Sequence, residues 1–245
     1  MNKAIILAAG RGERMKSITE LLPKCLAPSN GRPLLSYSLE ALESNGIKET
    51  VIVVGYLSSE IRDTFGGAYG SMKLTYIENP HYATSDNIYS LWLAEEQMRE
   101  DTLLLEGDLC YDPQIITNLI NHKEKNVAIV DRYTPRLDGT VIQDSNLLSE
   151  KMILKRHQGP DFNYDNVWKT VNIYKLSGVM LVEKFLPRLY HHILHSKTRQ
   201  YYEVVFADLI ETKEIKMHLI PVGDYRWAEA DTIEDLQYLE EVFLA

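Results

Sequence analysis

The stretch that decides the fold lies near the start of the chain and reads Ala4-Ile5-Ile6-Leu7-Ala8-Ala9-Gly10-Arg11-Gly12-Glu13-Arg14. Its first five residues form a short, fully apolar run, which is typical of a buried strand. The run leads directly into Gly10 and Gly12, where the main chain can approach a ligand closely and its N–H groups can bind phosphate oxygens. Arg14 adds a forked, permanent cation. The stretch therefore predicts a strand followed by an anion-binding loop.

Apolar runs alternate with helical repeats through the rest of the first half of the chain. The predicted strands are Ala4–Ala8, Thr50–Val54, Lys73–Ile77, Thr102–Leu105 and Asn126–Val130. The predicted helices are Pro33–Glu43, Leu57–Phe65, Asn87–Met98 and Asp112–Ile120. This order of strands and helices predicts an α/β protein, with a Rossmann-like, mostly parallel mixed sheet and helices on both of its faces.

The second half of the chain is less regular than the first. Asp131–Trp168 is polar and rich in turn signals, and we interpret it as a lid or acceptor-binding segment inserted in the same sheet. Strands are then predicted at Lys169–Tyr174 and Met217–Val222, and helices at Val179–Leu194, Tyr202–Glu211 and Thr232–Phe243. No linker or repeat divides the chain. We therefore predict one domain over 1–245, with a nucleotide-binding half (1–130) and an acceptor-binding half (131–245).

Composition excludes several classes of protein. A chain of 245 residues, 45% of them hydrophobic and 25% charged, is long enough to bury a large core. The net charge of −9 argues against a nucleic-acid partner, which requires a basic surface. Cys25 and Cys110 are too few for a disulfide scaffold or a Cys-rich zinc site. No stretch approaches the roughly 20 apolar residues of a membrane span. These features predict a cytoplasmic protein without a membrane span.

The glycine loop does not match two common nucleotide-binding patterns. The third glycine of the dinucleotide fingerprint would fall at Met15, so a nicotinamide-dependent oxidoreductase is disfavoured. The Lys-Ser/Thr ending of a Walker loop is missing as well.

The loop instead resembles the signature of another family. The pattern Leu7-Ala8-Ala9-Gly10-x-Gly12-x-Arg14, followed by Thr19 and Pro23-Lys24, is similar to that of the nucleoside-triphosphate transferases that activate sugar phosphates and small phospho-alcohols. This resemblance implies a nucleotide-diphospho-sugar transferase fold. It also implies nucleotide contacts from the loop and the lysine, namely Leu7, Ala8, Ala9, Gly10, Arg11, Gly12, Arg14 and Lys24.

Two aspartates match the metal ligands of the same family. Asp108 ends Leu105-Glu106-Gly107-Asp108, and Asp231 lies in Trp227-Ala228-Glu229-Ala230-Asp231-Thr232. The resemblance implies that both hold Mg²⁺, which prefers oxygen ligands, and that Arg14, Lys24, Asp108 and Asp231 form the catalytic set. For each aspartate taken alone, the alternative is a helix N-cap. The implied reaction is in-line attack of an acceptor oxygen on the α-phosphorus, with loss of pyrophosphate and without a covalent intermediate.

The segment Ser85-Asp86-Asn87-Ile88-Tyr89-Ser90-Leu91 bears on which nucleotide is used. Thymidylyl- and guanylyltransferases of the family usually carry a loop rich in Gln, Pro and Gly here. This segment instead resembles the cytidylyltransferases that act on phosphocholine and on aminoethylphosphonate, which implies CTP as substrate. Ser85 and Asn87 would contact the base or the ribose. The alternative is that these polar residues cap the following helix.

The acceptor is suggested by Asp131-Arg132-Tyr133, Leu137–Val141 and Lys169–Lys175, which look most like the phosphonate cytidylyltransferases. Lys169 could neutralise a phosphonate, and Asp131, Asp138 or Asp161 could pair with an ammonium, although Asp138-Gly139 is also a plain turn signal. Asn172 and Glu229 complete the predicted acceptor site. If none of the three aspartates binds the ammonium, Glu203 and Glu229 are the next candidates. A trimethylated head group would favour an aromatic cage instead. Candidates for that cage are Tyr133, Phe162, Tyr164 and Trp168.

The predicted function is therefore Mg²⁺-dependent transfer of CMP from CTP to 2-aminoethylphosphonate, with release of pyrophosphate. The alternative acceptor is phosphocholine, or a phosphorylated amino-acid or sugar head group. An inactive copy of the fold, acting as a binding or regulatory subunit, is a rival of a different class. Such copies typically lose the lysine or a metal aspartate, whereas Arg14, Lys24, Asp108 and Asp231 are all present here. A two-fold homodimer is the default expectation for assembly.

Overall fold

A computed structural model describes residues 1–195 and 197–243 of the chain. Its strands, in chain order, are β1 (Lys3–Ala8), β2 (Pro28–Ser29), β3 (Arg32–Pro33), β4 (Glu49–Val54), β5 (Ala68–Tyr69), β6 (Met72–Glu78), β7 (Thr102–Glu106), β8 (Leu109–Tyr111), β9 (Val127–Arg132), β10 (Val141–Ser145), β11 (Leu148–Ile153), β12 (Trp168–Leu176), β13 (His218–Pro221) and β14 (Trp227–Glu229). The helices are α1 (Lys16–Thr19), α2 (Leu34–Ser44), α3 (Ser58–Phe65), α4 (Asn87–Leu93), α5 (Gln114–Asn121), α6 (Gly178–Met180), α7 (Leu186–Leu194), α8 (Glu203–Glu211) and α9 (Ile233–Phe243).

One large mixed sheet carries the fold. Ten strands lie in the order β10-β11-β13-β9-β12-β7-β1-β4-β6-β5. Strands β7, β1, β4 and β6 are parallel, and β12 runs antiparallel to both β7 and β9. This arrangement confirms the predicted Rossmann-like α/β fold. It also places the carboxyl ends of the parallel strands at one edge, which is where such sheets bind ligands.

The middle of the sheet is buried on both faces, and β1 is apolar at every position from Ala4 to Ala8. In β1, Ile5 and Leu7 point into one core, which also contains Leu91 of α4 and Phe206 of α8. Ala4, Ile6 and Ala8 point into the opposite core, which is formed with α2 and α5. The period of two along the strand separates these two sets of side chains. The continuous apolar run at Ala4–Ala8 is thus explained by helices on both faces.

Two features differ from the sequence-based predictions, and a third agrees with them. The helix predicted over Asn87–Met98 ends at Leu93, and Glu95–Met98 forms a 3₁₀ turn. The helix predicted over Val179–Leu194 contains a π turn at Leu181–Phe185 just before Pro187, which has no N–H for a regular helical bond. The polar middle segment supplies β10 and β11, a hairpin of the main sheet, as we expected of an insertion in that sheet.

Two further observations concern cysteines and membranes. Cys25 and Cys110 are buried free thiols. Across 1–195 and 197–243, no helix has the length and apolar character needed to cross a bilayer.

Candidate active site

A cleft of about 700 Å³ opens at the carboxyl edge of the parallel strands. Its walls come from the loop after β1, the segment before α4, the end of β7 and the turn before α9. The cleft contains every residue that the sequence predicted to bind nucleotide, namely Leu7, Ala8, Ala9, Gly10, Arg11, Gly12, Arg14, Lys24, Ser85, Asn87 and Asp108. The structure therefore gathers these residues in one place, although their contacts with a nucleotide stay a prediction.

The glycine loop holds Lys24 close to the main chain. Gly12 has a positive φ of 70°, which favours glycine, and its carbonyl accepts hydrogen bonds from Met15 N–H and Thr19 Oγ1, each at 2.9 Å. A Cβ at Gly12 would lie 2.8 Å from Lys24 Cβ, so any side chain would push the lysine away. Gly10, by contrast, faces open space. The loop thus leaves room for a ligand at Gly10 and fixes Lys24 at Gly12.

The four predicted catalytic residues form one ion-pair network. The Lys24 ammonium donates hydrogen bonds to Asp108 Oδ2 and to Asp231 Oδ1, the latter at 2.6 Å. Arg14 Nη2 lies 2.6 Å from the same Asp231 oxygen. Burial alone would lower the pKa of Lys24, but Asp108 and Asp231 together raise it above its ordinary value. Lys24 is therefore a permanent cation held between two carboxylates.

A small second sheet brings together the two aspartates, which are more than a hundred residues apart in the sequence. Strands β8 and β14 pair antiparallel, with Glu229 opposite Leu109. Asp108 immediately precedes β8 and Asp231 follows β14, and the Ala230 N–H donates to the Asp108 carbonyl at 3.1 Å. The sequence analysis did not predict this sheet, because strands of three residues are too short to give a periodic signal.

Neither aspartate serves as a helix cap. Ahead of α9, the Thr232 hydroxyl accepts a hydrogen bond from the Asp235 N–H at 3.1 Å. The Asp235 carboxylate in turn accepts from the N–H groups of Asp231 and Thr232, at 3.1 and 2.9 Å. Helix α5 has Pro113 at its N-cap position. The carboxylates of Asp108 and Asp231 therefore face Lys24 and the cleft, and not the end of a helix.

The carboxylates fit a divalent cation. Asp108, Glu229 and Asp231 each offer an oxygen within 4.8 Å of the others. Asp108 Oδ1 is buried and accepts no hydrogen bond in the described structure, so one acceptor is left without a donor. Burial raises the pKa of Glu229 to about 7, Lys169 partly offsets this, and Asp108 and Asp231 add to it. An all-oxygen set of this kind suits Mg²⁺.

Ser85 and Asn87 are held by hydrogen bonds that do not cap α4. Ser85 Oγ donates to the His81 carbonyl at 2.8 Å and accepts from Asn79 Nδ2 at 3.2 Å. The Asn87 carboxamide donates to Glu106 Oε1 at 3.0 Å and accepts from the Tyr202 N–H at 2.9 Å. The N-cap of α4 is Asp86, whose side chain makes no capping hydrogen bond. The capping alternative is thus not observed, and Asn87 joins the cleft wall to α8.

Several cleft residues were missed by the sequence analysis. Arg199 and Tyr201 reach the cleft from the segment before α8, where Arg199 Nε donates to the Thr84 carbonyl at 3.1 Å. Arg199 and Thr84 are 115 positions apart in the sequence, so no local pattern reveals that they are in contact. Glu106 also lines the cleft. It lies two residues before Asp108 at the end of β7, and that strand-like spacing was a signal that could have identified it.

Two predicted acceptor residues are buried beside this site. Lys169 is only 1% exposed, and its ammonium lies 3.7 Å from Glu229 Oε2 and donates to the Thr170 carbonyl at 2.6 Å. Asn172 is buried at a positive φ of 61°, and its Oδ1 accepts a hydrogen bond from the Tyr174 hydroxyl at 3.3 Å. Lys169 is therefore linked to the carboxylates through Glu229 and lies behind the cleft.

The three aspartates predicted to bind the ammonium, Asp131, Asp138 and Asp161, do not line the cleft. Asp131 accepts hydrogen bonds from Trp227 Nε1 at 2.6 Å and from the Arg132 N–H. Asp138 is exposed and lies 2.6 Å from Lys155, and Asp161 is exposed in a turn. Gly139, the residue after Asp138, has a positive φ of 116°, in agreement with the alternative that Asp138-Gly139 is a turn signal. The placement of all three argues against the prediction that one of them binds the ammonium.

The aromatic candidates do not form an open cage. Tyr133 and Tyr164 stack face to face with ring centroids 3.7 Å apart, and Phe162 packs edge-on against Tyr164 at 4.8 Å. Trp168 donates its Nε1–H to Asp144 at 2.9 Å. The rings of Tyr133, Phe162 and Tyr164 thus pack on one another, and none of the four aromatic residues lines the cleft.

Comparison with known proteins agrees with this geometry. Residues 4–200 match the family model described as the MobA-like NTP transferase domain. The chain is 33% identical over 230 residues to a CMP-5'-(3-aminopropyl)phosphonate synthase of Streptomyces rubellomurinus, covering 94% of this chain but 37% of that protein. It is 26% identical to a CTP:phosphoglutamine cytidylyltransferase of Campylobacter jejuni, covering 96% of this chain and 97% of that protein.

Solved structures agree on the fold. The structure of a CTP:phosphocholine cytidylyltransferase from Streptococcus pneumoniae superposes with a TM-score of 0.82 at 23% identity, covering 99% of both chains. This supports the nucleotide-diphospho-sugar transferase fold implied by the glycine loop. The cleft and the network around Lys24 agree with the family match. The chain therefore belongs to the MobA-like NTP transferase domain family, which confirms the prediction of a nucleotidyltransferase.

Proposed function

We propose that the protein transfers CMP from CTP to a small aminoalkylphosphonate and releases pyrophosphate. The observation that carries this proposal is the position of Lys24, held between Asp108 and Asp231 beside the glycine loop. A cation and two carboxylates in a cleft of about 700 Å³ suit nucleotidyl transfer, because they can neutralise the phosphate groups that react there. The alternative of an inactive copy of the fold is disfavoured, because Arg14 and Lys24 contact the aspartates as an intact site would.

The triphosphate would lie along the glycine loop. The open space at Gly10 allows the main-chain N–H groups to approach phosphate oxygens, and Arg14 lies at the same end of the cleft. Arg14 is 61% exposed at its side chain, so it can turn from Asp231 to the phosphates at little cost. We assign the glycine loop and Arg14 to the β- and γ-phosphates, which leave as pyrophosphate.

Asp108 and Asp231 would hold Mg²⁺, with Glu229 beside them. The fit rests on the oxygen donors and on the unpartnered Asp108 Oδ1 described above. When bound, Mg²⁺ would neutralise charge on the phosphate oxygens around the α-phosphorus.

The chemical step needs no general base. An oxygen of the acceptor phosphonate, already anionic, forms a bond to the α-phosphorus of CTP, and the bond from that phosphorus to the bridging β-phosphate oxygen breaks. Lys24 would donate hydrogen bonds to the α-phosphate and the incoming oxygen, where two anions must approach each other. Catalysis is then positioning and charge neutralisation, which preorganised groups supply.

Two observations support a primary ammonium on the acceptor. The inner end of the site is acidic, because Glu106, Glu203 and Glu229 lie near one another there. Lys169 acts on Glu203 and Glu229, and Lys24, which already pairs with two aspartates, acts on Glu106 and Glu229. The aromatic residues that could have enclosed a trimethylammonium stack on one another instead. The Streptomyces relative is named for an aminopropylphosphonate product, which is consistent with this choice. Phosphocholine remains the second candidate because of the likeness to the pneumococcal enzyme.

The proposed activity predicts selectivity for CTP. Pyrophosphate release should be measured with CTP, UTP, ATP and GTP, each with 2-aminoethylphosphonate, 3-aminopropylphosphonate, phosphocholine and glucose 1-phosphate. We expect turnover with CTP and an aminoalkylphosphonate. Turnover only with another nucleotide would contradict the assignment of CTP, and no turnover in any combination would favour the inactive copy. A cytoplasmic location and a two-fold homodimer remain predictions.

The acceptor site predicts a preference between the two candidate head groups. With CTP, 2-aminoethylphosphonate should have a kcat/KM at least about 30-fold higher than phosphocholine, because three methyl groups remove every N–H that a buried carboxylate could accept. The measurement is initial-rate kinetics with both acceptors in one preparation. A higher kcat/KM for phosphocholine would contradict the assignment and would require an aromatic cage that opens on binding.

A further inference from the structure

We propose that Glu203, together with Glu229, binds the ammonium group of the acceptor. This inference rests on the proposed function and names the residues that select its substrate. It replaces the three aspartates that the structure does not bring to the cleft. Glu203 is buried, lies among more carboxylates than cations, and is connected to the cleft through Tyr202 and Asn87.

Glu203 is a buried acid with an unused acceptor. It is the first residue of α8 and is 5% exposed. One carboxylate oxygen, Oε1, accepts a hydrogen bond from the Thr140 hydroxyl at 3.3 Å. The other, Oε2, is buried and accepts no hydrogen bond in the described structure. A buried carboxylate oxygen without a donor is costly, so a missing partner is the simplest physical account of it.

The charges around Glu203 leave a deficit of cations. Burial raises the pKa of Glu203, and Lys169, which lies 3.7 Å from Glu229, offsets part of that rise. Lys24 already donates to Asp108 and Asp231. In the described part of the chain, the ammonium groups of Lys24 and Lys169 and the Arg14 guanidinium therefore face five carboxylates, those of Glu106, Asp108, Glu203, Glu229 and Asp231. A further ammonium would balance this group, and it would bring three N–H donors.

The acidic group borders the cleft through Glu106. Glu106 lines the cleft, and the Glu229 side chain keeps 21% of its surface exposed. Asn87 joins the Glu106 carboxylate to the main chain at Tyr202, the residue before Glu203. Glu229 is also within 4.8 Å of the proposed metal ligands. An acceptor with its phosphonate near Asp108 and Asp231 could thus extend its amine toward Glu229 and Glu203.

The test isolates the ammonium from the rest of the acceptor. We would measure kcat/KM with CTP for 2-aminoethylphosphonate and for propylphosphonate, in which a methyl group replaces the ammonium. The proteins are the wild type, Glu203→Gln, and the control Glu211→Gln, which makes the same change at an exposed position of the same helix. Glu203→Gln should lower kcat/KM for the amine about 100-fold and for propylphosphonate less than about threefold. The control should change neither value.

The outcomes separate this inference from the proposed function. Equal losses with both acceptors would make Glu203 a structural residue and overturn the inference, as would no loss with the amine. A wild type that uses both acceptors equally would exclude an ammonium site altogether. If Glu203→Gln does not fold, Glu203→Asp keeps the charge but retracts it, and the same selective loss is required. Absence of turnover with any acceptor would instead contradict the proposed function itself.

Discussion

Replacing Lys24 by methionine is expected to lower kcat for cytidylyl transfer by about two to three orders of magnitude, with a much smaller rise in KM for CTP. Methionine keeps the methylene stem that packs against Gly12 and removes the charge between Asp108 and Asp231. The ammonium matters most when the phosphonate oxygen and the α-phosphate approach each other, because negative charge is then most concentrated. An interaction made mainly in the transition state lowers kcat rather than ground-state binding.

The Lys24 variant should be compared with Lys48→Ala, which removes an exposed lysine that takes part in no described ion pair and lies outside the cleft. Initial rates over a range of CTP concentrations give kcat and KM, and thermal unfolding confirms that each variant is folded. A variant with normal kcat and a raised KM would assign Lys24 to ground-state binding of the triphosphate. That result would contradict the role proposed for it in the chemical step.

Replacing Asp108 by asparagine should reduce turnover by about three orders of magnitude without lowering the melting temperature. Asn keeps the shape of the side chain but withdraws a charged oxygen from the proposed Mg²⁺ site, and loss of several kcal/mol of charge stabilisation corresponds to about this factor. Stability should be unchanged or higher. The change weakens the ion pair with Lys24, which keeps Asp231 as a partner, and it relieves the repulsion of Asp108 by Glu229 and Asp231.

The measurement pairs activity with direct metal binding. Titration with Mn²⁺, followed by electron paramagnetic resonance, should give much weaker binding for Asp108→Asn than for the wild type in the presence of CTP. Asp63→Asn, an exposed aspartate on α3, makes the same chemical change and should behave as the wild type. Normal turnover together with normal Mn²⁺ binding would remove Asp108 from the metal site.

The nucleotide side of the molecule was predictable because its signals are local. The apolar run at β1, the glycines after it and Lys24 lie within one short stretch, and the fold brings them together with little help from distant residues. The close packing of Gly12 on Lys24 explains why both residue types occur at that spacing. Asp108 and Asp231 were identified only through the resemblance to a family. The strands that join them, β8 and β14, are too short to be recognised from periodicity.

The acceptor side could not be predicted in the same way. Glu203, Glu229 and Lys169 come from α8, β14 and β12, and only the folded chain brings them together. Charged residues are expected at the surface, so the burial of Lys169 and Glu203 runs against the usual pattern. The three aspartates lie in a polar segment, where an exposed carboxylate and a ligand for an ammonium look alike in sequence. Asp138 beside Lys155 is the clearest case.

The most direct test of the central claim is to identify the product of CTP and 2-aminoethylphosphonate by ³¹P nuclear magnetic resonance. Transfer of CMP forms a new P–O–P bridge, so the account predicts two mutually coupled doublets, one from a phosphate and one from a phosphonate, together with pyrophosphate. Both should appear with the wild type and be absent with Lys24→Met over the same time. Hydrolysis of CTP without a coupled phosphonate signal, or a bridge formed only from another nucleotide, would contradict it.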